Sequence, residues 1–311
     1  MIRKILTTAS AAALAIGVFA NVAHAQDEAA APTPAMWTVS DEDTTIYLFG
    51  TVHILPEGTE FMNPTITAAL EGSDQFVSEI NTSLIPDYDP ASGNPPPPEL
   101  IEIAQMQAQM AQLTTGGTLR DLMNDEQRAT YEASMERFGI PVAAFDGFEP
   151  WFVAMNMMQV MFQEAGLDPS DGVERRLDHL IEGKERGALE TIEQQMTFFD
   201  TLPLQSQIAF LTDGMEDMDA MNEMFSAMVG EWIEGDPVGL ATLINEPMSE
   251  DPHLYYNLLT QRNYAWAEWI DERLDQPGTV FIAVGAGHLA GEYSVQDFLE
   301  QRGIAAERVQ Y

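Results

Sequence analysis

Thr279-Val280-Phe281-Ile282-Ala283-Val284-Gly285-Ala286-Gly287-His288 is the stretch that decides the fold. Its apolar run, stopped by glycine, is the strongest strand signal in the chain. Near the opposite end Ile46-Tyr47-Leu48-Phe49-Gly50-Thr51-Val52-His53 has the same form. In both, a strand runs into a glycine and a histidine follows three residues later. Glycine permits a sharp exit from the strand that a Cβ would obstruct. The histidine then lies just past the strand's carboxyl end, where open α/β sheets form their ligand crevices. If the two strands are neighbours, His53 and His288 share one crevice.

Working outward, a helix is expected after Pro64, burying Ile66, Ala69 and Leu70, and Gln75 to Ile80 reads as another strand. Pro86 to Pro98, with four consecutive prolines, is a surface loop. The middle reads as helices over 99–113, 125–138, 151–165, 173–182, 203–234 (with a break at Gly214) and 252–274. A short strand is expected at Ala188 to Thr191, a last helix over 295–301 and a last strand over 308–310. Strands at both ends with helices between them predict an α/β fold: a central sheet carrying a large helical insertion, about 99–183.

Residues 1–25 read as an export signal. Arg3 and Lys4 precede an apolar run, and Ala23-His24-Ala25 supplies small residues around the cleavage point. The run is shorter than the roughly 20 residues that span a bilayer, although an uncleaved anchor is the alternative. Residues 26–36 read as a flexible Ala/Pro-rich lead-in and 37–311 as the folded domain. The expected location is therefore exported, most simply periplasmic, with no membrane association after cleavage. The absence of cysteine excludes thiolate sites and cysteine nucleophiles and suits an oxidising compartment. With 50 acidic against 13 basic residues, a net charge of −37, the chain opposes nucleic acid and anionic membranes, so no nucleic-acid partner is expected.

Two imidazoles in one cleft suit a divalent metal, with a carboxylate as the next ligand. Glu79, near the end of its strand, is the best candidate, because a charge in an apolar strand is costly unless paired or metal-bound. His53, Glu79 and His288 are thus the expected metal set. The competing reading is a pair of structural histidines with no ligand. Histidine plus carboxylate is compatible with Mn, Co, Zn or Fe.

Ile46 to Pro56 and Phe281 to Gly291 closely resemble the TraB/GumN family, to which the TIKI-type metalloproteases belong. Phe148 to Phe152, Leu189 to Gln195, and Arg262-Asn263 followed by Trp266 look like family segments too. The resemblance implies a mixed central sheet of the EreA/ChaN-like type. For the TIKI branch it implies metal-dependent peptide-bond hydrolysis requiring both histidines and a glutamate, which by position are His53, His288 and Glu79. It also implies Arg262 as a further polar site residue and tilts the metal toward Mn or Co. Such chemistry needs a second carboxylate to take and return a proton, for which Glu190 and Glu174 are the candidates. Arg262 would hold a substrate carboxylate or an oxyanion, or else form a salt bridge to a neighbouring acid. The expected partner is a peptide or protein substrate. The alternative is a non-catalytic periplasmic protein binding a metal, haem or peptide in an envelope or exopolysaccharide pathway.

Other patterns carry less. His53 and His288 each begin H-x-x-x-E, but Pro56 and Gly291 oppose a regular helix that would bring Glu57 or Glu292 to a metal. H-E-x-x-H, G-x-S-x-G, G-x-G-x-x-G and the P-loop pattern are absent. His179 and His253 lack a partner motif. Met215, Met218, Met221, Met224 and Met228 recur at helical spacing, as do Met155, Met158 and Phe162. They read as core, with a plastic groove or a homodimer face as the alternative. Glu216, Asp217, Asp219 and Glu223 read as the solvated side.

Overall fold

The computed structural model describes residues 31–311 except 87, 89–91, 168–171, 179 and 217. Residues 1–25, read above as an export signal, and His179 lie outside the described residues. Six strands make one mixed sheet: β1 Met36–Ser40, β2 Thr44–Thr51, β3 Gln75–Ser78, β4 Glu185–Ala188, β5 Gly278–Gly285 and β6 Glu307–Arg308. The order is β4-β3-β5-β2-β1-β6. β4, β3, β5 and β2 run parallel, and β1 is antiparallel to both β2 and β6. The two glycine–histidine strands are direct neighbours, paired from Thr44 opposite Gly278 to Thr51 opposite Gly285. The fold is mixed α/β, compatible with the EreA/ChaN-like type.

Helices fill the crossovers. They are α1 Pro64–Gly72, α2 Pro98–Met110, α3 Asp125–Arg137, α4 Pro150–Glu164, α5 Val173–Asp178, α6 Ile192–Asp200, α7 Leu204–Glu216, α8 Met218–Glu234, α9 Pro237–Leu240, α10 Glu246–Met248, α11 Pro252–Tyr255, α12 Gln261–Leu274 and α13 Val295–Gln301. Residues Ala241–Asn245 and Tyr256–Thr260 are π-helical, continuous with their neighbours. Helices thus occupy both long crossovers, β3 to β4 and β4 to β5. Asn63 caps α1 by accepting from Thr65 and Ile66 N–H groups, and Thr191 with Gln194 forms a capping box for α6.

The period-2 pattern of the strands divides the core between the two faces of the sheet. Phe49, Phe76, Phe281 and Ala283 pack with Phe61 and Trp232 on one face. Ile46, Leu48, Val77, Val280, Ile282 and Val284 pack with Trp266, Ala267 and Ile270 on the other. A third core lies among α3, α4 and α7, where Tyr131, Met135, Val153, Met157, Leu211 and Met215 are buried. Of the methionine stripe, Met215 is core, Met228 packs partly on the first core and Met224 is exposed, as is Glu223.

Several boundaries differ from the sequence reading. β4 lies at Glu185–Ala188 rather than 188–191, because Thr191 is already capping α6. Gly214 lies inside α7 rather than at a break. Ordered contacts begin before residue 36: the Thr33 N–H donates to Ile233 O, Asn63 Nδ2 donates to Pro32 O, and Ala35 is buried.

Gly50 and Gly285, the glycines of the two glycine–histidine strands, matter for room rather than for a left-handed backbone. A Cβ on Gly50 would stand 3.2 Å from the Cα of Ala286, in the segment leading to His288. Gly50→Ala should therefore destabilise the protein by about 1–3 kcal/mol through overpacking. Urea unfolding checks this, and an unchanged midpoint would show that the segment yields freely.

Candidate functional site

The four parallel strands end at one edge of the sheet, and His53, Glu79, Glu190 and His288 all come within three residues of those ends. The ladder continues past β3 and β4, since the N–H groups of Leu189 and Glu190 donate to Ser78 O and Glu79 O at 3.0 and 2.8 Å. This extension is what turns both carboxylates toward the same crevice. Arg262 and Asn263 arrive from the first turn of α12, immediately after the π-helical Tyr256–Thr260. Glu174 comes from the first turn of α5. All six residues singled out in the sequence thus meet at one place.

Arg262 is the centre of the network. Its Nε and Nη2 donate to the two oxygens of Glu190 at 2.8 and 2.9 Å, and Nη2 also donates to Glu79 Oε2 at 2.6 Å. Nη1 donates to Leu258 O and to His288 Nε2, both at 3.1 Å. All five N–H donors of the guanidinium are engaged, so in this arrangement none is left for a substrate carboxylate or oxyanion. Glu190 also accepts from Trp266 Nε1 at 2.9 Å and is 8% exposed, its pKa raised by burial.

Glu79 lies between Arg262 and a small hollow over Gly285. Its Oε2 also accepts from Gln195 Nε2 at 2.9 Å, and its Oε1 from the Gly285 N–H at 2.7 Å. Burial alone would raise its pKa, but Arg262 foremost among the neighbouring charges holds it down at about 2. A Cβ on Gly285 would stand 3.1 Å from Glu79 Oε1, 3.5 Å from His288 Cδ2 and 3.7 Å from His53 Nε2. Glycine keeps this hollow open.

The two histidines are held alike. His53 Nδ1 lies 2.8 Å from Glu174 Oε1, which also accepts from Thr51 Oγ1 at 2.5 Å. The Glu174 charge raises His53 to about 9, and 66% of its side chain faces solvent. His288 Nδ1 lies 2.5 Å from Asn263 Oδ1, and the ring packs on Trp266 with centroids 4.3 Å apart. Burial, reinforced by Arg262, lowers His288 to about 3, so it is neutral. With Nδ1 bonded to an acceptor, His53 turns Nε2 toward the hollow, whereas His288 borders it with Cδ2 and accepts from Arg262 at Nε2.

This donor chemistry fits a divalent ion. Imidazole and carboxylate ligands stand about 2.0–2.2 Å from such an ion, and His288 Nε2 is 3.9 Å from Glu79 Oε1, a separation one ion can bridge. Holding each Nδ1 by an acceptor is the usual support of a ligating histidine. The closest groupings are made with the guanidinium, however: among the described residues no three His, Asp or Glu side chains form a cluster able to hold a metal.

The sequence reading did not single out Asn245, Gln195 or Thr51, and it quoted Asn263 only as part of a segment. Asn245, the last residue of the first π-helical segment, donates from Nδ2 to Gly287 O at 3.0 Å and Ala290 O at 2.7 Å, clamping the loop around His288. Its Oδ1 is buried without a partner. Two π-helical segments near one site would have been a pointer, but they carry no sequence signature. Glu57, Glu292 and His253 face solvent.

The charged pairs set a pH window for the protein without metal. The raised pKa of His53 contributes stability fully present below about 6.5 and lost as pH rises through about 9. The lowered pKa of Glu79 contributes stability present above about 4.5 and lost as pH falls toward about 2. Glu174→Gln should abolish the alkaline decline and return His53 toward 6.5 in an NMR titration. A His53 pKa near 6.5 in the unaltered protein would contradict the pairing.

Against known proteins, the TraB/PrgY/gumN family model matches residues 35–308. The uncharacterized protein YbaP of Escherichia coli K12 is 24% identical over 200 residues, covering 64% of this chain and 74% of YbaP, and YbaP of Shigella flexneri matches equally. An uncharacterized protein of Treponema pallidum is 19% identical over 281 residues, covering 86% of this chain and 80% of its own length. No solved structure matches. A family match running from the first strand through the last, and containing every residue of the crevice, makes the chain a member of the TraB/PrgY/gumN family.

Proposed function

We propose that the protein is an exported, metal-dependent hydrolase acting on peptide bonds. The observation that carries this reading is the hollow over Gly285. Glu79 Oε1, His53 Nε2 and the ring of His288 all border it, and a hydrogen-bond acceptor holds each imidazole at Nδ1. His288, Glu79 and His53 would hold the ion, with Mn or Co preferred on the family resemblance. The chemistry such an ion supplies is Lewis acidity, which makes water more acidic and a carbonyl more electrophilic.

The chain's own residues prepare that chemistry. Glu174 and Thr51 orient His53, and Asn263 orients His288. Glu190 and Glu79 both pair with Arg262, which is buried beside Trp266. Glu174, through Oε1, and Glu190, through both oxygens, are thereby engaged as positioning groups in this arrangement. The peptide bond is the substrate class that resemblance to the TIKI branch implies, and the Arg3 to Ala25 pattern supports export. Among the described residues no helix is long and apolar enough to cross a membrane.

One observation favours a second reading, a binding protein without turnover: Arg262 Nη1 already sits on His288 Nε2, so a cation or ligand entering there competes with it. Calorimetry separates the two. Chelator-stripped protein should bind about one equivalent of Mn or Co, at least tenfold more weakly in His288→Ala and Glu79→Gln. Only the loaded protein should cleave members of a peptide library in a mass-spectrometric screen. Gly285→Ala should fill the hollow and abolish both properties with the circular dichroism unchanged. Binding without cleavage of peptides, esters or glycans selects the second reading, and failure to bind any of Mn, Co, Zn and Fe dismisses the metal.

A further inference from the structure

The hydrogen bonds behind His288 form a chain whose direction is forced. A backbone carbonyl only accepts, so Tyr293 O, 2.8 Å away, fixes Nδ2 as the Asn263 atom that faces it. That leaves Oδ1, also an acceptor, against His288 Nδ1 at 2.5 Å, and the proton of the ring must sit on Nδ1. Nε2 then carries the lone pair, which accepts from Arg262 Nη1 at 3.1 Å. Asn263 is 1% exposed, which shields these bonds from competing water.

The far end of the chain is strained. Tyr293, at φ 58°, is the one non-glycine residue among those described with a left-handed backbone, a conformation that costs a residue with a Cβ. The turn is braced on both sides. Tyr255 donates from its hydroxyl to Glu292 O at 2.7 Å and packs edge-on against the Tyr293 ring, and Ser294 caps α13. The ring of Tyr293 is half exposed while its carbonyl is aimed inward at Asn263.

We propose that Asn263 is a positioning residue for His288, fixing the proton on Nδ1, and that the left-handed turn at Tyr293 in turn fixes Asn263. The inference rests on the reading of His288 as a donor to a ligand in the hollow. Arg262 favours the same tautomer from the other side, at Nε2. Asn263 is the group that still holds the ring when Nε2 turns from the guanidinium to an incoming ligand, and Asn245 keeps the surrounding loop in place.

Proton–nitrogen NMR of the full chain, labelled at histidine nitrogen and stripped of metal, tests the tautomer directly. His288 should show a downfield proton coupled to Nδ1. Asn263→Asp keeps an acceptor and should keep that resonance, whereas the nearly isosteric Asn263→Leu should lose it. Tyr293→Gly keeps the carbonyl, so it should leave the resonance in place without lowering the melting temperature. In calorimetry with manganese, Asn263→Leu should bind about 10–100-fold more weakly and Asn263→Asp should recover the affinity. An unchanged Nδ1 proton in Asn263→Leu overturns the proposal. Should that variant not fold, loss of the resonance in folded Asn263→Asp overturns it equally. A wild-type protein that binds no manganese defeats the metal reading, and the tautomer experiment still decides this one.

Discussion

A single buried guanidinium holds the carboxyl edge of the sheet together. Arg262 is 8% exposed and reaches Glu79 beyond β3, Glu190 beyond β4 and His288 beyond β5, while the π-helical segment before its helix supplies Leu258 O. A guanidinium so placed would be costly to bury alone. Two carboxylates, one bound in bidentate fashion, make it tolerable, and removing the guanidinium would cost about 3–5 kcal/mol by leaving both buried carboxylates without it. Stability at this edge therefore depends on charges that also shape the crevice. Glu79 is kept ionised by Arg262, and His288 is kept neutral partly by the same positive charge.

Much of this arrangement is legible in the sequence, because hydrophobic period and glycine position carry it. The β-prone run at 279–284 and its partner at 46–49 became adjacent parallel strands, and α1 buried the three residues its spacing predicts. The helix at 295–301 was found at those bounds. What escaped had weak local signals. β1 is five residues ending in Ser40, and its pairing with β2 and β6 is a tertiary event. α6 begins with Ile192-Glu193-Gln194, where the capping box at Thr191 was the overlooked cue. The π-helical segments differ from α-helix by one hydrogen-bond register, which composition does not report.

The site was legible to a similar depth. Charged or titratable residues just past strand ends stand out, so His53, Glu79, Glu190 and His288 could be named. Their supports could not, because Asn245, Asn263 and Gln195 look like any surface amide until the fold buries or pairs them. The role of Arg262 was also underdetermined: a rare cation in an acidic chain fits a substrate anchor and an internal ion pair equally, and the geometry shows every donor spent internally. The two strand-ending glycines stand out in the sequence, but their spatial reason does not. Gly50 gives way to a neighbouring backbone and Gly285 to a hollow, neither of which sequence spacing can display.

Anomalous diffraction from crystals soaked in manganese bears most directly on whether this crevice grips a cation. One peak should appear over Gly285, within ligand distance of Glu79 Oε1 and His288 Nε2, with Arg262 drawn off the imidazole. A crevice without a peak at saturating manganese, its guanidinium still seated on His288, would contradict the metal site.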